Sequence, residues 1–568
     1  MIPAFNKTVE AKPHTAVYRM HRYFARRPWN VFSELISHYS SHGEIVLDPF
    51  CGGGVTVVES LRSKRMAVGV DLNPVATYVT SMQSRPLDLE SFEAAFCELS
   101  KKVGAEISSF YLTRCAHCGL DAVSDWLEWN ERPRQVIRLR YNCSNCRSTR
   151  EKAATQNDLK LARELEEHFS DTVRKRDLWF PKTRIPRGDK TDYLLTHGLK
   201  FFHELFTRRN LLALAILHKE IARLQNRDAR DFLNFVLSSS LKWASRQSHL
   251  RGDIVEGWAM HAYWIYPRSL EINVWNTFER RYAAISRGKR YSNEHIGTYC
   301  RLTEDFDGLR NGKASCLILN RSATRLPIPN DSVDAVITDP PYGGNINYAE
   351  LSDYWFIWMS NGKTIEKGQE VIINRNQRKI LNDYEKLLCA VFKECYRVLR
   401  PHRFLVSTFN SKDLRVVASF IMAASTAGFV LLPDGLQYQR PIRSYTTTFH
   451  AMQIGAFVGD FIFTFVKEKT PQQKSIQAED ELRGLEGSLS DLIAETAKGG
   501  LTEPQLRERG YVILIPFLGK YARTSISTCR EAVDFFEGKM REHETYFRST
   551  RERITTTRRQ KFQEQQRA

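Results

Sequence analysis

Asp339-Pro340-Pro341-Tyr342 closes the apolar run Val333-Asp334-Ala335-Val336-Ile337-Thr338, and few reactions need this tetrapeptide at the end of a strand. A carboxylate and a backbone carbonyl both accept hydrogen bonds from an exocyclic NH2, two prolines stiffen the loop, and a terminal aromatic stacks on a planar ring. The set suits an amino group carried on a flat heterocycle. A second component comes from Ile45-Val46-Leu47-Asp48-Pro49-Phe50-Cys51-Gly52-Gly53-Gly54, which reads as a buried strand entering a glycine-rich turn, followed by a helical stretch from Val55 to Ser63. Glycine lets backbone approach a ligand closely and take dihedrals closed to other residues. Met66-Ala67-Val68-Gly69-Val70-Asp71 is a second strand ending in an acid, about twenty residues past the turn, where nucleotide-binding α/β folds set a carboxylate on ribose hydroxyls. A glycine turn by itself is a weak signal, and Asp48 would then merely cap it. The spacing to Asp71, the continuation Leu72-Asn73-Pro74-Val75-Ala76 and the later Asp-Pro-Pro-Tyr together predict a nucleoside pocket.

Eleven cysteines in 568 residues do not make a disulfide framework, but four fall into Cys115-x-x-Cys118 and Cys143-x-x-Cys146. Thiolates spaced this way on a tight knuckle face one ion, and four sulfurs form a closed tetrahedral zinc site. A redox dithiol accounts for one pair, not two. Cys51, Cys97, Cys300, Cys316, Cys389, Cys395 and Cys529 are scattered and read as small core or surface residues. Cys51 lies inside the turn without a base or a Pro-Cys context and is given no nucleophilic role.

On these motifs, and on Asn347-Tyr348-Ala349-Glu350-Leu351-Ser352-Asp353-Tyr354 after the tetrapeptide, the chain resembles the S-adenosylmethionine-dependent amino methyltransferases of DNA. Within them it is most similar to the adenine-specific DNA methylases that contain a zinc ribbon. The resemblance implies that Asp48, Pro49, Phe50, Gly52, Gly54, Asp71 and Leu72 hold the cofactor, and that Asp339, Pro340, Pro341 and Tyr342 act on the amine of a base flipped from double-stranded DNA. It favours adenine N6 over cytosine N4 through the leading aspartate. In relatives the third strand leads into a Gly-Asp-Ala type turn whose acid meets the cofactor's adenine; here Ser322 stands in that place, followed by Ala323. A hydroxyl accepts from an NH2 more weakly than a carboxylate does. The run from His14 to Trp29, rich in aromatic and basic residues, matches the segment that in relatives closes over the cofactor's methionine end, or else is a solvated basic arm packed by its aromatics. An RNA amino methyltransferase and an inactive methylase-like DNA-binding subunit are the alternatives, and a restriction-modification or phage-defence setting with a separate nuclease subunit is the expected context.

These motifs need an α/β frame to bring them together. The expected fold is a doubly wound, Rossmann-like class I methyltransferase sheet, with the antiparallel final hairpin that the resemblance implies. Residues 1–87 would supply an N-terminal arm and the sheet's first half. Residues 88–312 would be an insertion holding the ribbon (115–146) and a target-recognition region, 313–470 the sheet's second half, and 471–568 a basic helical extension. Strands are expected at Ala314 to Leu319, Phe404 to Phe409, Phe429 to Leu432 and Phe461 to Val466, with helices at Trp29 to Tyr39, Tyr384 to Leu399 and Leu414 to Ala427. The aromatic and basic stretch from Ser245 to Arg281 either reads DNA or belongs to a core. Residues 541–568 carry eight Lys/Arg against four Asp/Glu, which suits a helical or frayed tail. A formal charge of +18 favours a polyanionic partner. No stretch approaches the roughly twenty apolar residues needed to span a bilayer, and Met1 to Lys7 lacks a signal-peptide core; a bacterial or archaeal cytoplasm is expected.

Overall fold

In a computed structural model, which describes residues 2–411, 413–439, 460–468, 476–497 and 503–542, the apolar runs become fifteen strands. In chain order they are β1 (Ile45–Asp48), β2 (Met66–Asp71), β3 (Leu112–Arg114), β4 (Asp121–Glu131), β5 (Arg134–Cys143), β6 (Ser148–Ala153), β7 (His249–Arg251), β8 (Ile254–Glu256), β9 (Arg268–Ile272), β10 (Leu302–Thr303), β11 (Cys316–Asn320), β12 (Val333–Thr338), β13 (Leu399–Phe409), β14 (Val430–Gln439) and β15 (Asp460–Val466). The main sheet runs β10-β11-β2-β1-β12-β13-β15-β14. Its strands are parallel except that β15 lies antiparallel between β13 and β14. From β1 the chain winds outward through β2 to β11, and from β12 it winds the other way to β13. Between β1 and β12, paired at Val46 with Ala335 and Leu47 with Val336, the winding reverses, and ligands of open α/β sheets bind at such a switch point, beyond the carboxyl ends of the strands.

Neighbouring residues of the central strands feed opposite cores, as the two-residue period of a strand requires. Val46, Ala335, Ile337 and Val406 join one cluster, and Leu47, Val336 and Leu405 the other. The first cluster takes in the helix Trp29–Tyr39 and the helices Leu89–Leu99, Arg208–Ala222, Arg227–Ala244 and Val274–Ser292 between β2 and β10. The inserted segment therefore covers one face of the main sheet with a continuous core. The second cluster holds the helices Leu381–Val398 and Leu414–Thr426, and then the C-terminal helices Ile476–Ala497, Glu503–Tyr521 and Ile526–Glu542. Leu489, Leu514, Leu518 and Phe536 are buried there, so the described part of the C-terminal extension is a layer of the fold. The basic run from residue 543 onward lies outside the described residues.

The insertion carries its own antiparallel sheet, β3-β4-β5-β6, with β9 returning to pair with β4 through Trp126 and Ile272. Ahead of residue 312, β10 already pairs in parallel with β11 at the edge of the main sheet. Two residues are too few to show a period, so this edge strand leaves no sequence signal. The stretch from Ser245 to Arg281 is divided: most of its large aromatics are interior, while Arg251 and Arg268 are exposed. Trp258 stacks on Tyr263 and packs against Tyr354 and Trp355, Trp275 is buried, and Arg246 pairs with Glu131. Of its tryptophans only Trp264 is substantially exposed. Among the described residues no helix is long and apolar enough to cross a membrane.

Candidate active site

One cavity, with a volume of about 110 Å³, opens at the switch point. Asp48, Pro49, Phe50 and Gly52 enter it from the turn after β1, Asp71 and Leu72 from the end of β2, Ser322 and Ala323 from the loop after β11, and Asp339 and Pro341 from the loop after β12. Ten of the predicted site residues thus line a single space. Gly54 lies behind the turn, Pro340 is buried, and Tyr342 packs to one side.

The turn owes its shape to hydrogen bonds that its own acids accept. Gly52 N–H donates to Asp71 Oδ2 at 2.9 Å, and Asn73 N–H to Asp71 Oδ1 at 2.8 Å. Asp48 Oδ1 accepts from Phe50 N–H at 3.1 Å and from Thr338 Oγ1 at 2.6 Å, while Oδ2 accepts from Thr56 Oγ1 at 2.6 Å. Asp48 therefore caps the turn and also ties β1 to the end of β12. Burial pushes the Asp48 carboxyl up to about 6 and that of Asp71 up to about 7. Gly54, at φ +78°, occupies the left-handed region, and an added Cβ would lie 2.7 Å from Thr80 Oγ1. Gly54→Ala is expected to destabilise the protein by about 1–3 kcal/mol through strain and crowding, read as a lower urea midpoint at unchanged m-value.

Asp339 accepts three side-chain hydrogen bonds in the cavity. Its Oδ1 accepts from Thr408 Oγ1 at 2.7 Å and from the Tyr342 hydroxyl, and its Oδ2 accepts from Arg27 Nε at 2.6 Å. Arg27 Nη1 also donates to both carboxylate oxygens of Asp460 at 2.9 Å, at the start of β15. Burial raises the Asp339 carboxyl to about 6, against the lowering pull of Arg27 and Thr408. The Tyr342 ring packs edge-on to Phe409 at 4.7 Å, with the Arg27 guanidinium 5.0 Å from its centroid. The ring expected to stack on a base is here turned onto the carboxylate. Tyr384 donates to Pro341 O at 2.7 Å and fixes the loop.

The cavity wall is completed by Tyr23, Phe24 and Arg26 from the His14–Trp29 run, by Tyr348 at the start of the helix Tyr348–Met359, and by Gln369 and Glu370, which were not singled out from the sequence. Tyr23 stacks on Tyr348 at 6.4 Å and receives a hydrogen bond from Asn73 Nδ2. The run is thus both packed by its aromatics and part of the cavity wall. Its mixture of aromatic and basic residues is a local signal; nothing local marks Gln369 or Glu370. His21 stacks on Phe235 in the core, where burial pushes it down to about 3. Burial and the nearby Asp71 and Asp48 push the Cys51 thiol well up, which disfavours a thiolate.

Away from the cavity, the Sγ atoms of Cys115, Cys118, Cys143 and Cys146 all lie within 4.8 Å of one another. Cys115–Cys146 and Cys118–Cys143 are 3.9 and 3.6 Å apart, close to the ~3.8 Å edge of a tetrahedron with metal–sulfur bonds near 2.3 Å. Tyr141 donates to Cys115 Sγ, and backbone N–H groups of Cys118 and His117 pull that thiol down toward the thiolate. This four-cysteine cluster could hold a metal ion.

No curated protein matches the chain. Residues 2–81, which carry the Arg27 segment, the glycine turn and Asp71, match the family model described as DNA methylase, and this match supports methyltransferase activity.

Proposed function

We propose that the chain is an S-adenosylmethionine-dependent DNA amino methyltransferase acting on adenine N6 in preference to cytosine N4. The observation that carries this reading is the single cavity shared by the glycine turn, Asp71 and Asp339. The lining suits the cofactor: a glycine turn at Gly52 that admits close approach, a carboxylate at Asp71 to accept from ribose hydroxyls, apolar flanks from Phe50 and Leu72, and Ser322 for the adenine amine. When bound, S-adenosylmethionine supplies an electrophilic methyl on a sulfonium.

The chain's own groups then act on the acceptor. An exocyclic amine conjugated to its ring is a poor nucleophile, and hydrogen bonds from its two N–H groups to the Asp339 carboxylate and the Pro340 carbonyl turn its lone pair toward the methyl. Transfer is direct, with positioning and electrostatics supplying the acceleration, and Asp339 takes the surplus proton. Tyr342 must rotate off Asp339 to stack on the base, which leaves the duplex to reach the cavity. The net charge of +18 suits the DNA backbone. Cys115, Cys118, Cys143 and Cys146 hold structural zinc.

Tritiated methyl transfer from S-adenosylmethionine to unmethylated duplex DNA and to RNA, with digestion to nucleosides, tests the proposal. Label in N6-methyladenine of DNA is expected. Label confined to RNA moves the substrate class, and a chain that binds DNA but labels neither polymer has lost the reaction.

A further inference from the structure

We propose that Arg27 is a built-in stand-in for the target base, occupying its acceptor subsite until DNA delivers a flipped nucleotide. The proposal rests on the acceptor role given to Asp339 above. A flipped base brings two things to this subsite, a planar face for Tyr342 and N–H groups for Asp339. The Arg27 guanidinium is planar and carries N–H donors in a fixed fork. Its Nε is 2.6 Å from Asp339 Oδ2, and its carbon lies 5.0 Å from the Tyr342 ring centroid. Asp339 Oδ1 stays engaged by Thr408 when Tyr342 turns away to meet the base, so an arriving amine meets the carboxylate on the side Arg27 holds.

Asp460 provides the place to which Arg27 withdraws. Arg27 Nη1 grips both Asp460 oxygens at 2.9 Å, so Nε can release Asp339 while the guanidinium stays bound to β15. Retaining the cation matters, because two carboxylates face each other across it. Among the described residues, the titratable and charged groups facing Asp339 are Arg27, Asp460 and Tyr348, with Tyr342 bonded to it. Arg27 is a positioning residue in this scheme: it keeps the Asp339 carboxylate ionised and directed at the subsite, and it is displaced before chemistry.

The test compares full-length wild type, Arg27→Ala, Arg27→Lys and Asp460→Asn in methyl transfer to unmethylated duplex DNA, with methylguanidinium as a probe. Arg27→Ala is expected to lower KM for DNA by about tenfold, the worth of a charge-assisted hydrogen bond no longer displaced. Methylguanidinium should compete with DNA in that variant and not in wild type. The acid limb of kcat/KM should move to higher pH, because removing Arg27 takes away the cation that lies between Asp339 and Asp460. Arg27→Lys, which cannot bridge both acids as a fork, should lower KM in the same direction. Asp460→Asn should raise KM with Arg27 present and have no such effect in the Arg27→Ala background. Unchanged KM in Arg27→Lys and Asp460→Asn overturns the proposal even if Arg27→Ala does not fold. So does an Arg27→Ala enzyme with lower kcat, unchanged KM and no sensitivity to methylguanidinium. Wild type inert on both DNA and RNA overturns the methyltransferase reading itself, and the assignment of Arg27 with it.

Discussion

Replacing Asp339 by alanine is expected to reduce methyl transfer by on the order of 10³-fold or more, the effect of deleting a preorganised acceptor and proton acceptor together. Cofactor affinity should stay within a few-fold, because Asp71, Gly52, Leu72 and Ser322 reach the cavity from other strands. Arg27 keeps its bonds to Asp460 in the variant, so the cavity wall does not lose its anchor. Isothermal titration with S-adenosylmethionine, alongside single-turnover methylation, separates the two quantities. Substantial transfer by Asp339→Ala would sink the assignment. The same residue sets a pH dependence. Only the carboxylate accepts the amine N–H, and its folded value is raised to about 6 from an ordinary 3.8, so wild-type kcat/KM should climb as pH passes through about 6. The stability linkage has the opposite sense. A carboxyl raised on folding contributes stability that is fully present below its unfolded value, near 3.8, and is lost as pH rises through about 6. Asp339→Ala should lack this part of the pH dependence of Tm.

Loss of the metal is the second large effect. Cys115 follows β3, and Cys143 ends β5, so four bonds to one ion would pin both ends of the ribbon. Apparent binding energies of structural zinc reach about 10–16 kcal/mol in small domains. The ribbon sheet shares a core with the inserted helices through Leu127, Leu139 and Tyr141, so its unravelling should spread. Cys143→Ser is expected to abolish stoichiometric zinc, about one ion per chain in wild type, and to lower Tm markedly. A strong chelator added to wild type should reproduce the shift. Metal analysis by mass spectrometry and thermal unfolding measure both; unaltered Tm under both treatments would show that the sulfurs carry no structural ion.

The sequence by itself determined the parts whose information is local. The helix Trp29–Tyr39 and strand β2 fall where their periodicity places them, because alternation of apolar and polar residues reports which side of an element meets the core. The glycine turn after β1 and the clustering of the paired cysteines were legible for a related reason: backbone freedom and cysteine spacing are fixed within a few residues. Longer pairing was not. β13 begins at Leu399, five residues ahead of the expected Phe404, and Arg403 and His402 make backbone bonds with Lys467 at the far end of β15. The tertiary structure alone decided that Arg27 reaches Asp339 across 312 positions, that Tyr342 turns onto that carboxylate, and that Gln369 and Glu370 wall the cavity. Strand order is settled by burying both faces of a whole sheet at once, and only after β1 and β12 lie side by side do the turn that follows one and the loop that follows the other open on the same space.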